Sequence, residues 1–173
     1  LRKDVTFSDG SPFTADDVVH NFARWTDGNV EGNAMASRFP GLVDEATKTV
    51  REGAVVKVDD STVQLNLTAS DIAIIANLSD YPSAVVHSSF KDGEDPATNP
   101  IGTGPYKITS WTPDQRITMT IHKDWWGKHS GNVTEVIYTP VRNVSTRMAA
   151  LLSGAVDLVL DPSPQDLGRI RNT

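Results

Sequence analysis

The chain has 173 residues, 38% of them hydrophobic and 22% charged, which suffices for one or two small domains with a real core. Its formal net charge of −6 speaks against nucleic acid as a partner, because phosphate binding wants clustered Lys and Arg. Cysteine is absent, which excludes disulfides, thiol nucleophiles and Cys-ligated zinc, and no apolar run approaches the length of a membrane span.

Residues 1–7, where Val5 and Phe7 alternate with polar neighbours, predict a strand. Leu1 already sits inside it and no signal peptide precedes it, so the sequence reads as a piece of a longer protein. After the turn at residues 8–12, Thr14 predicts a helix N-cap. Asp17 is the acidic half of a capping box, and Phe13 and Val18 stand at the staple positions. Val18, Phe22 and Trp25 recur at i, i+4 and i+7 and define a buried face. The neighbouring Asp16 and Asp17 are explained by the cap and the helix dipole rather than by acid–base chemistry. Residues 28–41 read as loop and residues 42–51 as a short helix. Residues 55–58 and 63–67 flank Asp59-Asp60-Ser61 and predict a β-hairpin. Ser70 is expected to cap a helix over 71–78, residues 84–86 to form a short strand, and residues 91–99 to form a polar linker.

Asn99-Pro100-Ile101-Gly102-Thr103-Gly104-Pro105 then forms the chain's pivot. Its glycines and Pro105 launch a strand in a set direction. It is not a phosphate cradle, since Pro105 has no N–H and a strand follows instead of a helix. A meander is expected over 106–111, 116–122 and 133–141, with Ile117, Met119 and Ile121 pointing one way. Between the last two runs lie Trp125-Trp126-Gly127, read as packing aromatics rather than a stacking platform, and a loop at 128–132. Asn143 caps a helix over 144–153 with Met148, Leu151 and Leu152 on its apolar face, and Gly154 ends it. Residues 156–160 predict a buried strand, which completes a βαβ-type pattern if it runs parallel to the one before, and residues 165–171 start a further helix. Phe22, Trp25, Ile108, Met119, Leu151 and Leu158 are the expected core.

Chemistry is sparse. His20, His87, His122 and His129 show no metal-ligand spacing, and no HExxH or G-x-S-x-G occurs, so no metal, cofactor or catalytic residue is assigned. Four N-x-[ST] sequons start at Asn66, Asn77, Asn132 and Asn143 and would matter only in a eukaryotic secretory pathway.

Three motifs carry a resemblance. NPIGTGPYKITSW, then KDWWG, then STRMAALLSGAVDLV, together with the opening LRKDVTFSDGSPFTADDVVHNF, resemble the bacterial solute-binding proteins of family 5, the receptors of ABC importers. The resemblance implies a mixed α/β chain (α+β) of the periplasmic-binding-protein type II fold. Residues 1–99 would be the small subdomain, and residues 100–173 the start of lobe one. It implies a receptor outside the cytoplasmic membrane that captures peptides or similar small solutes and delivers them to an ABC permease. The membrane would be met only through that permease or a lipid anchor. A hydrolase with an unrecognised site is the alternative. Positions matching the family's ligand-facing places are Leu160 and Asp161 and, more loosely, Tyr81 and Ser83. With a lobe missing, the chain by itself is expected to bind poorly and to self-associate.

Overall fold

The computed structural model describes residues 1–91, 93–94, 97–128 and 132–171, the side chain of Arg169 excepted. His129, most of the expected loop at 128–132 and part of the linker at 91–99 lie outside the described residues.

The first helix forms where the cap predicts it. Helix α1 spans Ala15–Thr26, with Thr14 as N-cap and the reciprocal capping box with Asp17 in place. The Asp17 carboxylate accepts from the Thr14 N–H at 2.9 Å. The predicted face is the buried one: Phe22 and Trp25 are almost fully enclosed, and Val18 packs against them. The surrounding cluster adds Met35, Phe39, Leu42 and Ala54. Met35 and Phe39 come from the stretch expected to be featureless loop, which holds one-turn 3-10 helices at Ala36–Arg38 and Pro40–Leu42.

The hairpin is as expected: β1 (Val55–Asp59) pairs antiparallel with β2 (Thr62–Leu65). Its turn holds the start of α1, since the Ala15 N–H donates to the Asp60 carbonyl at 2.9 Å. Lys57 reaches across to Asp16 at 2.7 Å and Asp60 at 2.8 Å. These two carboxylates raise the Lys57 ammonium above its usual range. The Leu1 amino group donates to the Ser61 carbonyl.

Several expected elements are replaced. Residues 1–7 form no strand; one bridge joins Thr6 to Pro12, because the chain turns back at Gly10 before a ladder can grow. Residues 42–51 are not a helix. The Asp44 carboxylate takes the N–H groups of Ala46 and Thr47, closing a turn that brings Val43 and Val50 into a bridge. Helix α2 is short, Ile74–Leu78, and begins after Ala73 without a side-chain cap; Asp71, not Ser70, receives a backbone N–H there. Residues 84–86 form no strand. Their backbone groups are taken by α1 side chains instead: Asn21 donates to the Val86 carbonyl and accepts from the Val86 N–H, and Arg24 donates to the Ala84 carbonyl.

The meander is a three-stranded antiparallel sheet in the order β3-β4-β5, with β3 at Tyr106–Thr112, β4 at Arg116–Ile121 and β5 at Glu135–Tyr138. Tyr106 faces Ile121 and Ile108 faces Met119. The register then slips between Ile108 and Ser110, so that Trp111 faces Ile117. The bulge therefore keeps Trp111 on the apolar face with Tyr106 and Ile108, which strict alternation would forbid. Ile108 and Met119 end up half-buried instead of buried. Helix α3 (Val144–Leu152) is capped by Asn143, whose side chain accepts from the Thr146 N–H at 2.9 Å, and Gly154 closes it at φ +74°. Its Met148 is buried and Leu151 half-buried. Residues 156–160, expected as a buried strand, form none among the described residues, so no βαβ unit closes. No strand among the described residues offers them a ladder, and Leu158 stands 75% exposed. Helix α4 follows at Leu167–Arg171.

The pivot is tied from both sides. Ser8 donates its N–H to the Gly102 carbonyl at 2.8 Å and receives the Gly102 N–H on its hydroxyl. On the sheet side the buried His122 bonds through Nδ1 to the Gly104 carbonyl. The indole N–H groups of Trp125 and Trp126 both donate to the Thr103 carbonyl at 3.1 Å. The tryptophan pair is thus a clamp on the pivot, and Arg2 covers Trp126 at 4.4 Å from the ring centre. Gly127 makes room for it: a Cβ there would lie 2.4 Å from the Trp125 ring. Gly127→Ala is expected to swing that ring off Thr103 and cost about 1–3 kcal/mol. Thermal unfolding together with the Trp125 indole N–H resonance checks it; an unmoved resonance would contradict the clamp.

Candidate functional site

Tyr81 and Ser83 belong to a single 3-10 turn, Tyr81–Ser83, built on Asp80. The Asp80 carboxylate accepts the Tyr81 N–H at 2.9 Å and pairs with Arg38 at 2.5 Å. Arg38 foremost, then that N–H, holds the Asp80 carboxyl below the usual carboxylate range. A depressed folded-state value means the pair supports the turn above the ordinary carboxylate range, and that support fades as pH falls through the lowered value. Ser83 is buried, and its hydroxyl donates to the Asp80 carbonyl at 2.5 Å, so it shapes the turn and presents nothing outward. Tyr81 is the outward member, 88% exposed.

A cavity of about 310 Å³ opens beside this turn, walled by Pro82, Trp25, Met35 and Asn33, with Arg24 and Glu31 also on its lining. Asn33 builds it. Its amide donates to the carbonyls of Arg24, Trp25 and Asp27, three acceptors left over at the end of α1, and its oxygen accepts the Met35 N–H. The loop after α1 is thereby folded back over the helix end. Nothing in the sequence's periodicity marks Asn33 or Met35 as part of a site; an asparagine in a Gly/Asn-rich loop carries no such signal.

Leu160 and Asp161 lie on the far side of α3, beyond a stretch without sheet partners. Both are exposed, Leu160 by 60%. Asp161 has a left-handed backbone, φ +52°, which an aspartate tolerates better than most residues. It makes no hydrogen bond or ion pair among the described residues. Ser163 takes over the turn before α4, donating to the Asp166 carboxylate at 2.6 Å while its carbonyl accepts the Asp166 N–H. Among the described residues no hydrogen bond, ion pair or ring contact joins Tyr81 and Ser83 to Leu160 and Asp161. Among the described residues no group of three His, Cys, Asp or Glu is placed to hold a metal. None of the described helices is long and apolar enough to cross a membrane.

The fold so described is part of a periplasmic-binding-protein type II architecture. The peptide-binding DppA of Helicobacter pylori, solved with the peptide STSA, matches with a TM-score of 0.77 over 100% of this chain and 36% of its own, at 22% identity. The chain belongs to the bacterial extracellular solute-binding proteins, family 5 (middle), whose family model matches residues 1–173. Heme-binding protein A of Haemophilus influenzae is 31% identical across 99% of this chain and 34% of its own length. The binding protein AgaA of A. tumefaciens R10, solved with agropinic acid, matches with a TM-score of 0.76 at 27% identity over 90% of this chain and 30% of that one. The chain thus spans about a third of the length of the relatives it matches.

Proposed function

We propose that this chain is the middle part of the substrate-binding component of a bacterial ABC importer. It helps capture a peptide or similar small solute outside the cytoplasmic membrane for delivery to the permease. The observation that carries this is the family match along the whole chain. The relatives are solute-binding proteins, not enzymes, and they take chemically different cargo: the named ones are a heme-binding protein, an agropinic acid complex and a peptide complex. Recognition therefore rests on a receptor frame with an adaptable lining.

We read residues 1–99 as the small subdomain and residues 100–173 as the start of lobe one. On this reading Tyr81 and the cavity beside Pro82 lie on the subdomain's ligand side, with Ser83 holding the turn. Leu160 and Asp161 face the cleft from lobe one. The lack of a sheet partner for residues 156–160 among the described residues and the exposed Ile137, Tyr138, Leu158 and Leu160 suit a surface that the rest of the receptor covers. The free carboxylate of Asp161 suits a ligand amine or amide, and charge-assisted bonds are the stronger kind.

Mass spectrometry of whatever co-purifies with the intact protein tests the receptor reading; release of chemically altered ligand in a turnover assay would sink it. With the cargo known, Asp161→Ala is expected to weaken binding by about 1–3 kcal/mol with the unliganded melting temperature little changed. Unchanged affinity with a lowered melting temperature would make Asp161 structural.

A further inference from the structure

The turn that carries Tyr81 hangs on Asp80. The Asp80 carbonyl accepts both the N–H and the hydroxyl of Ser83, and one oxygen of its carboxylate accepts the Tyr81 N–H at 2.9 Å. The other oxygen takes the Arg38 guanidinium at 2.5 Å. Arg38 ends the one-turn helix Ala36–Arg38 and lies between Met35 and Phe39, two members of the buried core. Its carbonyl accepts the side-chain amide of Asn77, in α2, at 2.9 Å. Arg38 thus ties the core both to α2 and to the turn that follows α2.

Met35 and Pro82 both wall the cavity of about 310 Å³, and the Arg38–Asp80 pair joins the two segments they stand on. Tyr81 remains 88% exposed while Ser83 is buried, so the turn is anchored at one end and presents a ring at the other. An aromatic ring held outward on a braced turn suits recognition. It offers a large apolar face with a polar tip and has little rotamer freedom to lose on contact. A backbone fixed before the encounter also saves the ordering cost that a loose loop would meet. The pair is partly exposed, its side chains 30% and 40% accessible, so its contribution is that of a surface ion pair.

We infer that Arg38 is a positioning residue for solute recognition: through Asp80 it holds the Tyr81 turn beside the cavity, so that the ring is in place before the solute arrives. The inference rests on the reading that Tyr81 faces the solute.

The test is a double-mutant cycle on the intact protein, read by calorimetry with the solute that co-purifies with it, stripped and added back. Tyr81→Ala is expected to weaken binding about tenfold. Arg38→Gln is expected to weaken it about two- to fivefold in the parent and to add nothing beside Tyr81→Ala, and Arg38→Lys to restore most of the loss. Amide exchange gives a reading without solute: the Tyr81 N–H should exchange faster in Arg38→Gln than in the parent. If Tyr81→Ala binds as tightly as the parent, the ligand-side reading fails and the inference falls with it. If Tyr81→Ala weakens binding but Arg38→Gln does not, or if Arg38→Gln costs the same with and without Tyr81, the inference alone is overturned. A Tyr81 N–H that exchanges at the parent's rate in Arg38→Gln overturns it too.

Discussion

Phe22→Ala is expected to cost about 3–5 kcal/mol, the range for emptying an aromatic site in a packed core. Phe22 is 2% exposed and touches two other aromatics edge-on, Trp25 at 5.2 Å and Phe39 at 5.5 Å between ring centres. Trp25 and Phe39 also stack on each other at 6.2 Å. The three rings brace one another, so the space left by one cannot close by sliding a single neighbour. Lost ring pairing adds to lost burial, at about 0.5–1.5 kcal/mol per pair. The cluster joins α1, the hairpin and the loop after α1, so its loss loosens all three. Urea unfolding checks the figure, with Phe22→Leu as a milder control. A Phe22→Ala midpoint close to the parent's would mean the cluster is not the core of this part.

Phe22 and Trp25 of that cluster are legible in the sequence and Met35, Phe39 and Leu42 are not, for one reason. Phe22 and Trp25 sit on a capped helix, where burial repeats with the helical period and two adjacent aspartates mark the start. Met35, Phe39 and Leu42 reach the same core from a loop and single 3-10 turns, where no period exists to betray which side chain turns inward. Their burial is decided by Asn33 and by the turn at Asp44, both acting through side-chain bonds to backbone. The same mechanism defeats the strand expected at 84–86: β-branched residues are there, but Asn21 and Arg24 take the place of a neighbouring strand. At 156–160 the pattern of a buried strand is present and its partners are not. Burial of both faces is a property of neighbours, and the described residues supply none.

The site divides the same way. The motifs around the pivot and the tryptophan pair were readable because glycine and proline restrict the backbone on their own. The structure adds why the words occur together: Thr103 offers the carbonyl, Trp125 and Trp126 both use it, and Gly127 clears the space. Tyr81 and Asp161 could be named only through family likeness. Each is exposed, and what would give it a role is a ligand and a facing wall, neither of which a local pattern encodes.

The second large effect is expected at Asn21, a residue no pattern singles out because it is a polar side chain on the buried side of α1. It is 0% exposed. Its amide donates to the Asp17 carbonyl at 2.8 Å and to the Val86 carbonyl at 2.7 Å, while its oxygen accepts the Val86 N–H at 3.0 Å and an Arg24 N–H at 3.1 Å. It therefore does for Val86 what a neighbouring strand would do, and fastens the segment before the pivot to α1. Asn21→Asp keeps the shape and removes both donors. The new carboxylate keeps the Val86 N–H and Arg24 in its favour on one oxygen, but its other oxygen faces two carbonyl oxygens in a site closed to water, with Asp17 one helical turn away. A buried charge without adequate pairing costs about 3–5 kcal/mol, and that loss is expected at pH 7. The pH dependence follows from the sign. Burial and the facing carbonyls raise the folded-state pKa above the ordinary aspartate value of about 3.9. The folded state then holds the proton more tightly, so the variant is least destabilised below that value. The penalty grows as pH rises and levels off above the raised value. Urea midpoints of Asn21→Asp and the parent at pH 4 and pH 7 are the measurement. A variant as stable as the parent at pH 7, or a deficit larger at pH 4 than at pH 7, would show that Asn21 does not carry the joint between α1 and Val86.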